Sequence, residues 1–268
     1  MQVFRTAAMA AGLSLYFQVM PAAAQIDYRN LDDDRPVVTE DAYPVERYAF
    51  ELLVPYRFEA EAGGGEVHST VAEVAYGFIR NAQLGLKLPF AAVAEETGTD
   101  WGLGGIRLFG LYNFNTESRL LPALSLRADA EFPIGLLAGE DSRFALEAIA
   151  TRSWGRMRVH LNASRGFGSE DSVSVVEPLP RWSASLAVDR TFFRSSLLLI
   201  GEIATAQLVD NAPSDVTASV GGRWQWTPTL VLDFGVTRRL SDSGPDFGFT
   251  LGVSHAFAIR ALMPGGPR

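Results

Sequence analysis

From Tyr48 onward the chain alternates. Tyr48, Phe50, Leu52, Val54, Tyr56 and Phe58 take every second position, with Ala49, Glu51, Leu53, Pro55, Arg57 and Glu59 between them. Successive side chains of a strand point to opposite faces, so this spacing makes one apolar and one mostly polar face. Wound at about 100° per residue, the same apolar residues would scatter round a helix. The spacing predicts a strand. The alternation returns with Val74, Tyr76 and Phe78, then with Leu84 to Phe90, Ile106 to Phe114 and Leu124 to Phe132. It continues through Phe144 to Ala148, Met157 to Ala163, Trp182 to Val188, Leu197 to Ile203, Val216 to Trp224, Leu230 to Val236 and Phe247 to Phe257. The element at Leu197 is the least regular, since its second face is small rather than polar. About twelve segments result, each near the ~9–11 residues that a tilted membrane strand needs.

The connections carry a second signal, because short and long ones alternate. Short links fall at Arg80-Asn81, Asn115 to Ser118, Trp154-Gly155, Phe192 to Ser195 and Thr227-Pro228. Longer ones contain Gly63 to Gly65, Glu95 to Trp101, Gly135 to Ser142, Gly166 to Pro180, Val209 to Asp215 and Ser241 to Asp246. Outer-membrane barrels have short periplasmic turns and long external loops, whereas a soluble sandwich has no reason to sort its loops this way. The predicted fold is therefore an all-β, transmembrane, antiparallel up-and-down barrel over residues 48–257. Tyr48, Phe50, Phe78, Phe114, Trp154, Trp182, Phe192, Phe193, Trp224, Trp226 and Phe257 are expected near the periplasmic ends, as an aromatic girdle at headgroup level.

Composition agrees without deciding. The chain is 47% hydrophobic and 20% charged, too polar for a helical membrane protein but normal for a barrel in which only alternate residues face lipid. The net charge of −8 argues against nucleic acid, whose phosphates demand a basic surface. The absence of cysteine excludes disulfides and thiol chemistry. Arg5, the uncharged stretch Thr6 to Met20 and the small residues Ala22 to Ala24 form a secretory signal over residues 1–24. Residues 25–47 are acidic, unpatterned and interrupted by Pro36 and Pro44, and read as a loosely ordered, solvated periplasmic segment. Residues 258–268 read as a C-terminal tail. The expected location is the outer membrane of a Gram-negative bacterium, with outer-membrane lipid, lipopolysaccharide and the barrel-assembly machinery as partners.

The hairpin from Ala75-Tyr76-Gly77 to Lys87-Leu88-Pro89-Phe90, the run Trp101-Gly102-Leu103-Gly104-Gly105-Ile106-Arg107-Leu108, then Leu111-Tyr112-Asn113-Phe114 and Leu121 to Leu126, closing on Glu131-Phe132-Pro133-Ile134-Gly135, resemble the family described as the MetA-pathway of phenol degradation. The likeness is sharpest over residues 72–135. Gly105 stands where that family often has Asp, and Leu111 where Lys is common. The resemblance implies an outer-membrane barrel with a transporter-like role for small hydrophobic or aromatic compounds.

The chemistry available lies on the polar face. The registers point inward Glu51 and Arg57 on the first strand, Glu73 and Lys87 on the next hairpin, Arg107, then Arg127, Asp129 and Glu131. Further on they point inward Glu147, Arg158 and His160, Asp189, Glu202, Arg223, Asp233 and Arg239, with Glu59 and Arg156 beside them. Unpaired desolvated charges are costly, so these should pair across strands. The lumen is then either a narrow passage whose charges select a small-molecule permeant or a salt-bridged plug. A barrel of about twelve strands is wider than the eight that side chains just fill, which favours the passage. An enzymatic alternative, a barrel-embedded lipid hydrolase with His160 as base, meets an obstacle. Ser164 is four strand residues away, about 13 Å at ~3.3 Å per residue, leaving only a nucleophile from another strand. A sealed structural or surface-binding barrel is the third reading, with the loop Gly166 to Pro180 as its contact region. No residue spacing implies a metal or cofactor.

Overall fold

A computed structural model describes residues 27–33, 35–60, 65–95, 98–169, 173–174, 176–192 and 196–263. The signal segment, Gly63 and Gly64, Phe193 and the last five residues of the tail lie outside the described residues. The strands are β1 (Ala49–Ala60), β2 (Glu66–Ile79), β3 (Ala82–Glu95), β4 (Gly98–Leu103), β5 (Ile106–Asn115), β6 (Ala123–Phe132) and β7 (Arg143–Trp154). They continue with β8 (Met157–Phe167), β9 (Trp182–Phe192), β10 (Leu197–Gln207), β11 (Asp215–Thr227), β12 (Leu230–Arg239) and β13 (Phe247–Ala258), followed by a single 3₁₀ turn at Arg260–Leu262.

Sequence neighbours pair antiparallel except at β4 and β5, and β1 closes the sheet by pairing along its full length with β13 (Ala49 opposite Ala258, Ala60 opposite Phe247). β4 and β5 are two halves of one stave. The upper half of β3 pairs with β4, from Phe90–Leu103 to Glu95–Gly98, and its lower half with β5, from Ala82–Tyr112 to Lys87–Arg107. The break falls at Gly104-Gly105. Twelve staves thus close into a barrel. Closure satisfies the backbone groups of the staves within the sheet, β4 alone pairing on one side only, and this is what allows strands to stand in hydrocarbon.

The alternation predicted from sequence maps onto the two faces. Leu84, Leu108, Leu146, Leu161, Leu186, Ile203, Val220, Phe234 and Leu251 are all exposed on the outer surface, about half of each side chain being uncovered by protein. On the inner surface the same strands bury Lys87, Arg107, Arg127, Asp189 and Arg223 almost completely. This is an inside-out distribution relative to a water-soluble protein, and it fits lipid outside and polar groups within.

Three expectations about the wall need correction. Of the stretch Glu95 to Trp101, Glu95 still belongs to β3 and Gly98 to Trp101 already belong to β4, paired with it from Glu95–Gly98 onward, rather than to a long loop, because the β3 ladder runs on above the level at which β5 leaves it. Trp182 opens β9, opposite Gln207 and Arg165, so it stands at the long-loop end. There it joins Tyr56, Phe90, Trp101, Phe144 and Phe167 in an outer aromatic belt facing that of Phe78, Phe114, Trp154, Trp224 and Trp226. Arg156 lies exposed in the turn between β7 and β8 rather than in the lumen.

Leu186 sits midway along β9 on the lipid face. Leu186→Arg should destabilise the barrel by about 2–4 kcal/mol when unfolding is titrated with denaturant in lipid vesicles. A loss below about 1 kcal/mol would mean that this face does not meet acyl chains.

Candidate functional site in the lumen

Residues 27–48 do not hang in the periplasm. They run up into the barrel and back down before Tyr48, held at φ 69°, turns the chain into β1. Tyr28, Leu31 and Val37 pack on Ala187, Leu198, Ile200, Val231 and Ala256 of the wall. Ala42 packs on Leu111, Ala123 and Ile149, and Val45 on Ala49, Ala75 and Phe109. At two inward-facing glycines the segment's backbone touches the wall. A Cβ on Gly235 would overlap the Pro36 carbonyl, and one on Gly77 would overlap the Glu46 carbonyl. The acidic composition that suggested a solvated segment is instead the segment's means of attachment.

Its carboxylates meet the lumen's cations. Asp33 Oδ2 lies 2.8 Å from Lys87 Nζ and 3.2 Å from Arg127 Nη2. Glu40 accepts from Arg127 Nη1 at 3.1 Å, Asp41 from Arg158 Nη1 at 2.9 Å and Asp32 from Arg223 Nη1 at 2.7 Å. The carbonyls of Arg29 and Asn30 accept further bonds from Arg158 and Arg223. In the opposite sense, the wall's Glu202 accepts from the backbone of Val38 and Thr39 and from the Thr39 hydroxyl. The segment's Arg35 is 3.8 Å from Glu73. Wall partners hold the same cations from the side: Asp129 binds Arg127 through two oxygens, and Asp189 binds Arg158.

Thirteen of the sixteen sequence-predicted lining residues are therefore buried: Glu51, Glu73, Lys87, Arg107, Arg127, Asp129, Glu131, Arg158, His160, Asp189, Glu202, Arg223 and Asp233. Glu147, Arg57 and Arg239 are only partly buried. Glu147 accepts from Asn162 at 2.8 Å, and Arg239 pairs with Asp246 at the outer rim. Arg57 borders a cavity described below. Sequence reasoning missed Asp32, Asp33, Arg35, Thr39, Glu40 and Asp41. A signal was available: Leu198, Ile200 and Val231 face a lumen that should be polar, so something apolar had to cover them.

His160 is fully buried. Its Nε2 is 3.0 Å from Asp189 Oδ2 and its Nδ1 is 3.0 Å from Thr151 Oγ1, the residue opposite it on β7. Thr151 Oγ1 in turn accepts the Ala42 N–H at 3.0 Å. A hydroxyl, an imidazole and a carboxylate are in line, but the hydroxyl is covered by the N-terminal segment. The chain of bonds ends on that segment and pins it. Ser164 is turned away, its Oγ 2.5 Å from that of Ser183.

Above the segment, toward the long loops, a cavity of about 250 Å³ remains. Asp33 and Val38 form its floor. Arg57 and Glu59 of β1, Arg107, Asp129, Glu147 and Ser164 of β5 to β8, and Ala204, Ala206 and Leu208 at and just beyond the end of β10 line its wall. The loop between β8 and β9 folds over the mouth: Val176 and Leu179 are buried, the Ser174 hydroxyl donates to the Gly104 carbonyl, and Glu177 lies 3.8 Å from Lys87.

Burial pushes the carboxyl of Asp33 up, but Lys87, Arg127 and Arg107 outweigh it and hold the group below its ordinary value. For Glu40 burial prevails over Arg127, and for Asp41 over Arg158, so both stand above theirs.

These features define an outer-membrane β-barrel with an internally occupied lumen. The chain belongs to the family described as "Putative MetA-pathway of phenol degradation", whose model matches residues 34–257 and so includes most of the lumen segment. Among solved structures, the COG4313 outer membrane channel from Pseudomonas putida F1 is similar over 85% of this chain and 100% of that one, at 17% identity and a TM-score of 0.60. The KdgM porin is similar over 76% and 99%, at 15% identity and 0.53. The NanC porin is similar over 77% and 98%, at 8% identity and 0.53. A search of curated proteins finds no sequence match.

Gly235→Val should weaken docking of the segment by about 1–3 kcal/mol, since the Pro36 carbonyl must retreat. The readout is faster amide exchange over residues 35–47 with the strand ladder still protected; unchanged protection would contradict the contact. Acid should act in the opposite direction. Glu40 and Asp41 bind protons more readily docked than free, so docking gains strength as pH falls from 7 toward 5. Asp33 opposes this only as pH falls below its ordinary value of 3.8. Protection factors over residues 35–47, corrected for the intrinsic pH dependence of exchange, should rise on acidification.

Proposed function

We propose that this protein is an outer-membrane channel for small molecules, held closed at rest by its own residues 27–48. The observation that carries the reading is how the segment is attached. It is fixed by ion pairs, by hydrogen bonds between its backbone and wall side chains, by apolar packing and by a bridge at Arg47–Gly77, while the barrel's own ladder closes through β1 and β13 without it. The segment can therefore leave or shift without breaking the wall. Twelve staves enclose more space than side chains alone fill, and the cavity above the segment supplies a place for a solute to wait. Its partly apolar lining suits a solute with a hydrophobic body, in keeping with the family's description. The inward position of the predicted lining residues supports a role for them in passage once the segment moves.

The wild type in planar bilayers should show rare openings, and Asp32→Asn/Asp33→Asn, which removes the carboxylates held by Arg223, Lys87 and Arg127, should show frequent ones. Liposome swelling with small solutes should follow the same order. Silence of both proteins, each shown to be folded by heat-modifiable migration, would sink the proposal in favour of a sealed barrel.

A further inference from the structure

The lumen segment resembles a ligand as much as a lid. Four wall cations on four strands, Lys87 on β3, Arg127 on β6, Arg158 on β8 and Arg223 on β11, each receive one of its carboxylates within 3.2 Å. The wall's own carboxylates leave room for this. Glu73 stands 3.8 Å from Lys87, and Glu51 stands 3.8 Å from Arg223. Asp129 and Asp189 grip Arg127 and Arg158 largely through Nε and Nη2, so that Nη1 of each points to the segment. The most built of these positions is that of Asp33, where one carboxylate oxygen lies between two cations from different strands. Asp33 also forms part of the floor of the 250 Å³ cavity, so a solute in the cavity abuts it. Withdrawing the segment would strip a carboxylate from four buried cations. Such a loss is costly unless another anion replaces it.

We propose that the solute taken by this channel is a small molecule carrying two or more carboxylates, and that residues 27–48 occupy its sites as an internal stand-in. The inference rests on the channel reading and adds a substrate class to it. The solute enters the cavity with its apolar body against Ala204, Ala206 and Leu208. A carboxylate then exchanges with that of Asp33 on Lys87 and Arg127, and the segment is released by competition rather than by force. A planar, bidentate acceptor suits the arginines here, and a neutral or cationic solute has nothing to offer them.

The chain has no cysteine, so a single Val37→Cys substitution, nearly isosteric and buried in the lumen, reports undocking through its reaction with N-ethylmaleimide. Benzene-1,3,5-tricarboxylate at millimolar concentration should speed that reaction by about tenfold or more. Benzyl alcohol and benzyltrimethylammonium should leave it unchanged. Added Lys87→Gln, or separately Arg223→Gln on the far wall, should remove the acceleration in protein that still shows heat-modifiable migration. No acceleration by the tricarboxylate, or equal acceleration by all three compounds, overturns the carboxylate inference while bilayer openings keep the channel reading alive. Acceleration by the tricarboxylate with no openings in wild type or in the doubly neutralised variant Asp32→Asn/Asp33→Asn overturns passage itself.

Discussion

A charge on the inner wall of a closed barrel has two means of compensation, water or an opposite charge. In a narrow barrel side chains fill the interior; in a very wide one water forms a channel. Here twelve staves leave a lumen of intermediate width, lined by cations and carboxylates that cannot all reach each other across it. Lys87 and Arg223 show the difficulty, since their wall carboxylates stop at 3.8 Å. The N-terminal segment supplies what the wall lacks. Asp32, Asp33, Glu40 and Asp41 arrive at hydrogen-bond distance, and carbonyls of the same segment take up further guanidinium donors. Much else follows from this compensation, including the shape of the segment's path, the inward glycines that admit its backbone and the burial of His160 beneath it.

Paired charges of this kind are weak evidence for stability, because desolvation offsets most of the attraction. Their better use is to define one arrangement among many and to make it exchangeable. A segment docked by hydrophobic area alone would be displaced only by grease. One docked on four cations can be displaced by another anion or retuned by pH, and can return to the same register. The barrel wall stays intact throughout, since its closure through β1 and β13 is independent of the occupant.

The outer mouth shows a second level of the same economy. The β8–β9 loop brings Glu177 toward Lys87 and Arg107, cations already engaged with Asp33 and Glu131. The segment from below and the loop from above thus converge on neighbouring side chains of β3 and β5. The cavity between them is bounded on one side by this charged cluster and on the other by alanines and Leu208, a division that would orient an amphipathic solute.

The alternation from Tyr48 to Phe257 was enough to determine strands, faces, approximate number and the membrane setting, because the period of two is local and lipid contact acts on every second residue. Loop lengths determined which end is which. The inward charges were legible for the same reason, and all but three of the predicted lining positions are buried. The fate of residues 25–47 was not legible. Acidic residues with prolines look alike whether solvated or docked, since the partners of Asp32, Asp33, Glu40 and Asp41 lie 54 to 191 positions away and no periodicity encodes such a pairing. The apolar Leu198 and Ile200 on the inner face of β10 hinted at it, but only closure of the barrel brings those residues opposite Leu31 and Val37. Only the tertiary structure, by enclosing the wall's cations in a space too narrow to hydrate freely, decided that the chain's own carboxylates would fill it.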